Sequence, residues 1–164
     1  QLYSSYVTYE NGEIIVNGER VGKDVDFPSN TGIIIETPSF IPYYSGYKNL
    51  KMLAELNGKT KKEDVIASIE SVGLDPKMKR SVKKYSLGMR QRLGFAQAIM
   101  DNPDILILDE PMNGLDVDGV DDIRKCLMEL RNQGKTILIA SHYAEDIEIL
   151  CDTVHEIKKG YISE

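Results

Sequence analysis

The chain has 164 residues, 41% of them hydrophobic and 28% charged, with a formal net charge of −6. That is one domain's length, enough to bury roughly 70% of the unfolded surface without disulfide or metal staples, and the composition is globular. The negative balance excludes a general nucleic-acid binder, which needs a basic surface against phosphate. Cys126 and Cys151 stand far apart with no C-x-x-C, which excludes a disulfide scaffold and a cysteine zinc site and suits a reducing cytosol. Purely aliphatic runs such as Ile105 to Leu108 fall far short of the roughly 20 residues a membrane helix needs. The start, Gln1-Leu2-Tyr3-Ser4-Ser5, has no signal-peptide pattern and no Met, so the chain is expected to be a fragment.

The first block reads as β. Glu13 to Val16 runs into Asn17-Gly18 and then Glu19 to Val21, a hairpin signal. Gly32 to Glu36 predicts a short buried strand stopped by Pro38. The middle block reads as helices. Leu50, Leu53, Ala54 and Leu56 form one apolar face ended by Asn57-Gly58. Thr60-Lys61-Lys62-Glu63 has capping-box form, and Val65, Ile66, Ile69 and Val72 follow at helical spacing up to Gly73. Ser86 is placed to cap a third helix carrying Leu93, Ala96, Gln97 and Met100, which Asp101-Asn102-Pro103 ends. The last block alternates: an apolar strand Ile105 to Leu108, a helix marked by Ile123, Leu127 and Leu130 and ended by Gly134, and an apolar strand Thr136 to Ala140. Two fully apolar strands around a helix predict a parallel sheet. A helix Ala144 to Leu150, a segment Thr153 to Ile157 and a turn at Lys159-Gly160 complete the chain. The fold class is α/β with a helical insertion.

Chemistry concentrates at Ile105-Leu106-Ile107-Leu108-Asp109-Glu110. The carboxyl ends of strands are where open α/β sheets bind ligands. A strand-end Asp suits Mg²⁺ beside nucleotide phosphates, and an adjacent Glu can polarise a water as general base. Taken alone, the same run also describes a strand ending in a solvated acidic turn. Its surroundings discriminate: Tyr85-Ser86-Leu87-Gly88-Met89-Arg90-Gln91-Arg92 before it, Pro111 and Asn113-Gly114-Leu115-Asp116 after it, and Ser141-His142 after the next strand.

With these four motifs in order, the sequence resembles the nucleotide-binding subunit of ATP-binding cassette (ABC) transporters over nearly its whole length, and most of all the bacterial drug-exporter branch of bacitracin-resistance type. The resemblance implies a partial P-loop NTPase core with a parallel sheet, a small N-terminal β-hairpin and an inserted helical subdomain, divided as 1–44 and 101–164 for the core lobe and 45–100 for the helical signature subdomain. It implies that Ser86 and Gly88 stand on the signature, with Leu87 and Met89 where Gly and Gln are usual, and that this helix start meets the γ-phosphate of an ATP held by the other subunit. Asp109 falls on the Mg²⁺-coordinating Walker B position, Glu110 on the catalytic carboxylate, Asp116 on the D-loop aspartate and His142 on the switch histidine. Glu36 stands where the family's Q-loop carries Gln, which leaves open how this position meets Mg²⁺ or water. His155 has no such context and reads as an ordinary surface histidine. Phe40 to Tyr47 is rich in aromatics and corresponds to the groove that receives a transmembrane permease subunit, where aromatics suit an interface; a locally packed loop is the plain alternative.

The resemblance thus implies a cytoplasmic ATPase, peripheral on the inner face of the cell membrane, that uses ATP and Mg²⁺ and works as a dimer with a second ABC ATPase subunit. The 164 residues contain no G-x-x-x-x-G-K-[ST]: Gly58-Lys59-Thr60 and Gly134-Lys135-Thr136 carry Leu53 and Glu129 where the first Gly belongs, and neither follows a strand and opens a helix. The chain is therefore expected to begin after the phosphate loop, to be inactive alone, and to expose apolar sheet surface that favours self-association or marginal stability. A non-catalytic half-partner offering only the signature face is the alternative, and a soluble non-transport ABC ATPase another. Lys77, Lys79, Arg80, Lys83, Lys84, Arg90 and Arg92 lie together without an intervening acid. They read as a solvated face around an anion site, with nucleic-acid binding as the competing reading and no nucleic acid expected.

Overall fold

A computed structural model describes residues 13–35, 39–158 and 161–163. Strands β1 (Ile15–Val16) and β2 (Glu19–Arg20) pair antiparallel, Ile15 opposite Arg20. Asn17 and Gly18 turn the chain with φ of 52° and 82°, the left-handed pair that two-residue hairpin turns require. Strand β3 (Thr31–Ile34) follows. The continuation through Glu36 and the stop at Pro38 lie outside the described residues.

Helix α1 (Gly46–Asn57) starts on Ser45, whose Oγ accepts from the Lys48 amide, and ends where Gly58 adopts φ 66°. Helix α2 (Lys62–Ser71) does not start as the Thr60 capping box predicts. Its cap is Lys61, and Asp64 Oδ2 accepts from the Lys61 amide at 2.9 Å. The Thr60 hydroxyl instead donates to Asp101, which also takes the Asn57 side-chain amide at 2.7 Å. Two carboxylates compete for this short stretch, and tertiary contact with Asp101 captures the hydroxyl that local spacing assigned to the cap. Helix α3 (Leu87–Ile99) is capped by Ser86, whose Oγ accepts from the Met89 amide at 3.1 Å.

Strands β4 (Ile105–Asp109) and β5 (Thr136–Ala140) flank helix α4 (Val117–Asn132) in sequence. With β3 they form a parallel sheet in the order β3-β4-β5, Ile33 opposite Ile107 and Ile107 opposite Leu138. Helix α5 (Ala144–Leu150) follows. The extended segment expected at Thr153 to Ile157 begins later, as β6 (Glu156–Lys158) paired with β7 (Tyr161–Ser163). The turn at Lys159-Gly160 lies outside the described residues.

One face of the sheet, Ile34, Leu106 and Leu108, is buried, and α3 packs against β3. Leu93, Phe95 and Ala96 of α3 are fully buried, and the same core takes in Leu50 of α1, Ile69 of α2 and Ile123 and Leu127 of α4. Helix α3 buries far more than the single stripe its Leu93–Ala96–Met100 spacing suggests, because Gln91, Gly94, Phe95 and Ala98 are buried too. It is a central helix, covered on several sides. On the opposite sheet face Ile33, Ile35 and Leu138 are exposed, so apolar surface is open there, as the sequence leads one to expect.

The close seating of α3 on β3 depends on Gly32. A Cβ there would lie 2.1 Å from the Ala98 carbonyl oxygen and 2.7 Å from Leu106 Cδ2. Gly32→Ala is therefore expected to destabilise the fold by about 1–3 kcal/mol or more, through overpacking against backbone that cannot rotate away. A urea midpoint unchanged by this substitution would contradict the packing described.

Candidate functional site

The site is built where β4 and β5 end together. Asp109 pairs with Ala140 in the parallel ladder, and the Glu110 amide extends it by donating to the Ala140 carbonyl at 2.8 Å. That bond holds the end of β5 beside Glu110, so Ser141 and His142 leave the sheet next to it. His142 Nδ1 stands 2.6 Å from Glu110 Oε1. The two residues are 32 apart in sequence, and the register of two buried strands brings them together. Glu110 sits at φ 47°, a left-handed conformation that non-glycine residues seldom adopt and that points to functional constraint where the surroundings enforce it. Its second oxygen, Oε2, is buried and has no hydrogen-bond partner among the described residues. A buried, unpaired carboxylate oxygen is costly unless a ligand, ion or water completes it.

Asp109 is exposed at the strand end. Among the described residues there is no group of three or more His, Cys, Asp or Glu side chains arranged to hold a metal. The donor set fits Mg²⁺ only in the form usual for nucleotide sites, one or two carboxylates completed by phosphate oxygens and water.

A second group of the predicted residues lies at the start of α3. Ser86 is exposed and Gly88 half-buried, and the free amides of the first turn open there. Leu87 and Gly88 abut the loop that follows Glu110: a Cβ on Gly88 would lie 2.9 Å from the Gly114 carbonyl oxygen, and one on Gly114 2.6 Å from Leu87 Cδ2. Asp116, at the end of that loop, caps α4; its Oδ1 accepts from the Gly119 amide at 3.1 Å and from Arg92 Nη2 at 2.9 Å. The Arg92 guanidinium, with help from the Gly119 amide, holds the Asp116 carboxyl below the usual aspartate range. Ser86, Gly88 and Asp116 thus stand around the start of α3, and Asp109, Glu110 and His142 stand at the strand ends. Glu36 lies outside the described residues.

Three features escaped the sequence. Arg92 is not part of a solvated basic face: its side chain is only 11% exposed and carries ion pairs to both Asp116 and Asp122, because it faces inward from α3 toward α4. Gly88, Gln91, Arg92 and Phe95 form one helical stripe at i, i+3, i+4 and i+7, and that spacing was the available signal. Arg124 is also little exposed, pairing with Asp146 at 2.6 Å and Glu145 at 3.0 Å. Those two acids raise the proton affinity of the guanidinium further and pin α5, hence the preceding His142-Tyr143, to α4. A cavity of ≈ 370 Å³ between these parts is lined by Met112, Leu115, Val120 and Tyr143. Last, buried Asn49 shapes the aromatic loop, accepting from the Ile41 amide at 2.7 Å and donating to the carbonyls of Ile41 and Ser45. The loop is anchored to the segment before α3, where the Val82 and Lys83 amides donate to the carbonyls of Tyr44 and Pro42. Tyr43 and Ile41 remain exposed, and Lys48 Nζ stands 3.6 Å from the Tyr44 ring centroid.

Comparison with known proteins bears on the family and the fold. The family model described as "ABC transporter" matches residues 1–113. The uncharacterized ABC transporter ATP-binding protein YybJ of Bacillus subtilis (strain 168) is 41% identical over 157 residues, 96% of this chain and 72% of YybJ. The bacitracin transport ATP-binding protein BcrA of Enterococcus faecalis is 45% identical over 137 residues, 83% of this chain but 44% of BcrA. The chain therefore spans less than half of that relative. The dimeric post-hydrolysis structure of the ATP-binding cassette MJ0796, bound to ADP and Pi, superposes with a TM-score of 0.71 at 16% identity, over 85% of this chain and 66% of that one; at this identity it speaks for the fold alone. The strand-end Asp109-Glu110, the Ser86-capped helix and the family match over residues 1–113 lead to one conclusion: the chain belongs to the ABC transporter ATP-binding family.

Proposed function

We propose that this chain is part of the ATP-hydrolysing subunit of an ABC exporter for peptide antibiotics of the bacitracin and lantibiotic kind, working as a dimer on a membrane permease. The observation that carries the reading is the Glu110 carboxylate, held by His142 at 2.6 Å with its other oxygen buried and unpaired at the carboxyl end of a parallel sheet. In this reading Asp109 takes Mg²⁺ together with nucleotide phosphates, and Mg²⁺ supplies charge neutralisation at the γ-phosphoryl group. Glu110 orients the attacking water and accepts its proton, with Oε2 the oxygen available to that water. His142 holds the other carboxylate oxygen and so fixes the rotamer. Ser86, Gly88 and the α3 amides offer an anion site to an ATP held by a second subunit, and Asp116 faces that subunit from the loop. Residues 45–100 act as a signature subdomain beside a core of 1–44 and 101–164. Glu36 contributes at the Q-loop position.

The permease is proposed to dock on the loop Phe40 to Tyr47. Its exposed Tyr43 and Ile41 on an Asn49-anchored backbone make a preorganised apolar surface. The subunit then sits on the cytoplasmic face of the membrane. Among the described residues no helix is long and apolar enough to cross it, so attachment falls to the permease.

Two tests follow. These 164 residues alone, which contain no G-x-x-x-x-G-K-[ST], are expected to show no MgATP turnover above background, because that loop supplies much of the grip on the phosphates. Robust hydrolysis by the isolated chain, abolished by Glu110→Gln, would overturn this expectation. Expression of the full-length protein with its permease is expected to raise the bacitracin concentration that bacteria tolerate. An unchanged tolerance to bacitracin and to lantibiotics would remove the substrate assignment.

A further inference from the structure

Helix α5 has only seven residues, and Tyr143 ahead of it makes no side-chain cap. A helix this short does little by itself to fix where it starts. Its third residue, Asp146, is 4% exposed, the one acidic residue buried among the described residues. Nε and Nη2 of Arg124, on α4, both donate to the same Asp146 oxygen, Oδ1, at 2.9 and 2.6 Å. Nη2 also meets Glu145 at 3.0 Å, but that carboxylate is 73% exposed and water weakens the contact. Close packing does not replace the Asp146 pair on this side, because the ≈ 370 Å³ cavity lined by Met112, Leu115, Val120 and Tyr143 lies there.

His142 leads directly into this helix. Its ring lies against the Tyr143 ring with centroids 4.2 Å apart, and its Nδ1 meets Glu110. On the strand side its place is set by the Ala140 carbonyl, which accepts from the Glu110 amide. On the helix side it is set by wherever α5 begins.

We propose that Arg124 is a positioning residue for turnover: its fork on Asp146 fixes the start of α5 and so keeps the His142 ring on the Glu110 carboxylate. The proposal rests on the function argued above, in which Glu110 orients the attacking water and His142 fixes its rotamer. Arg124 makes no hydrogen bond or ion pair to Glu110 or His142 among the described residues, so it acts through the backbone of 142–146. Without it Asp146 is left charged, buried and unpaired, which drives the start of α5 toward water. The cavity gives that segment room to move.

The test measures kcat, KM for MgATP and melting temperature in the full-length protein carrying Arg124→Met, Arg124→Lys, Glu145→Gln or His142→Ala, and in the double variants that add His142→Ala to each Arg124 change. Arg124→Met is expected to lower kcat roughly 10- to 100-fold, the range that a small misplacement costs, with KM within about twofold. Arg124→Lys keeps the charge but not the fork and should recover part of the loss. Glu145→Gln should keep wild-type turnover. In the His142→Ala background neither Arg124 change should lower kcat further, because the group it positions is gone; a merely structural arginine would add its full loss there. Should Arg124→Met not fold, Arg124→Lys in the two backgrounds decides the matter. Unchanged kcat in both Arg124 variants, a loss that adds fully to that of His142→Ala, or a raised KM at constant kcat would each overturn the proposal. Where wild-type turnover is abolished by Glu110→Gln, these outcomes leave the assigned function standing. A full-length wild type with no hydrolysis would bring down that function and the role of Arg124 with it.

Discussion

Glu110→Gln in the full-length protein is expected to lower MgATP turnover by about 10²–10⁴-fold, the usual contribution of a positioned general base. The substitution removes one negative charge and the ability to accept a proton, yet it preserves the shape of the side chain. Gln can still accept a hydrogen bond at the His142 position, so the 2.6 Å contact has a replacement of nearly the same length. The backbone at φ 47° is held by the Glu110 amide on the Ala140 carbonyl, which the substitution does not touch. Folding should therefore be unaffected and ATP binding retained, which separates loss of chemistry from loss of structure. The measurement is steady-state phosphate release together with nucleotide binding. A variant with wild-type turnover would mean that another group handles the water, and the role assigned to Glu110 would have to be withdrawn.

Phe95→Ala should have the largest effect on stability. Phe95 is 0% exposed and lies on α3, the helix that joins the sheet to α2 and α4. Removing a buried phenyl ring costs about 3–5 kcal/mol, from lost transfer energy and the cavity left behind. Whole domains are stable by only about 5–15 kcal/mol, so this one change removes a fifth or more of the total. The open sheet face at Ile33, Ile35 and Leu138 leaves little reserve. A large fraction of the variant chain should be unfolded or aggregated at room temperature, as followed by circular dichroism in urea. Leu56→Ala is the contrasting control, because Leu56 is 83% exposed; its effect should stay within about 0.5 kcal/mol. Equal effects of the two substitutions would refute the assignment of α3 as the central helix.

Much of the fold could be read from local signals, because those signals act over a few residues. Asn17-Gly18 made the hairpin turn because both positions need left-handed backbone, and both have it. Ser86 capped α3 because its hydroxyl reaches an amide three residues on. Gly58 and Gly73 ended their helices at φ 66° and 70°. The aliphatic run before Asp109 could be recognised as an interior strand because nothing polar interrupts it, and this placed Asp109 and Glu110 at the ligand-binding end of the sheet. Where a distant contact competed with a local cap, the reading slipped. Thr60 was expected to cap α2, but its hydroxyl is taken by Asp101, 41 residues away, and the helix starts from Lys61.

The sequence by itself determined the elements, their order and the parallel character of the sheet, because periodicity, caps and turn chemistry are written in neighbouring residues; Ser86, Gly88, Asp109, Glu110, Asp116 and His142 were singled out by the motifs that resemble the family's. Tertiary structure alone decided that Glu110 meets His142, that Gly88 abuts Gly114, and that Arg92 turns inward to Asp116 and Asp122 instead of outward to water. Those outcomes depend on strand register and on how closely α3 can approach α4. Both are set by the packing of residues tens of positions apart, which no spacing within a single helix or strand encodes.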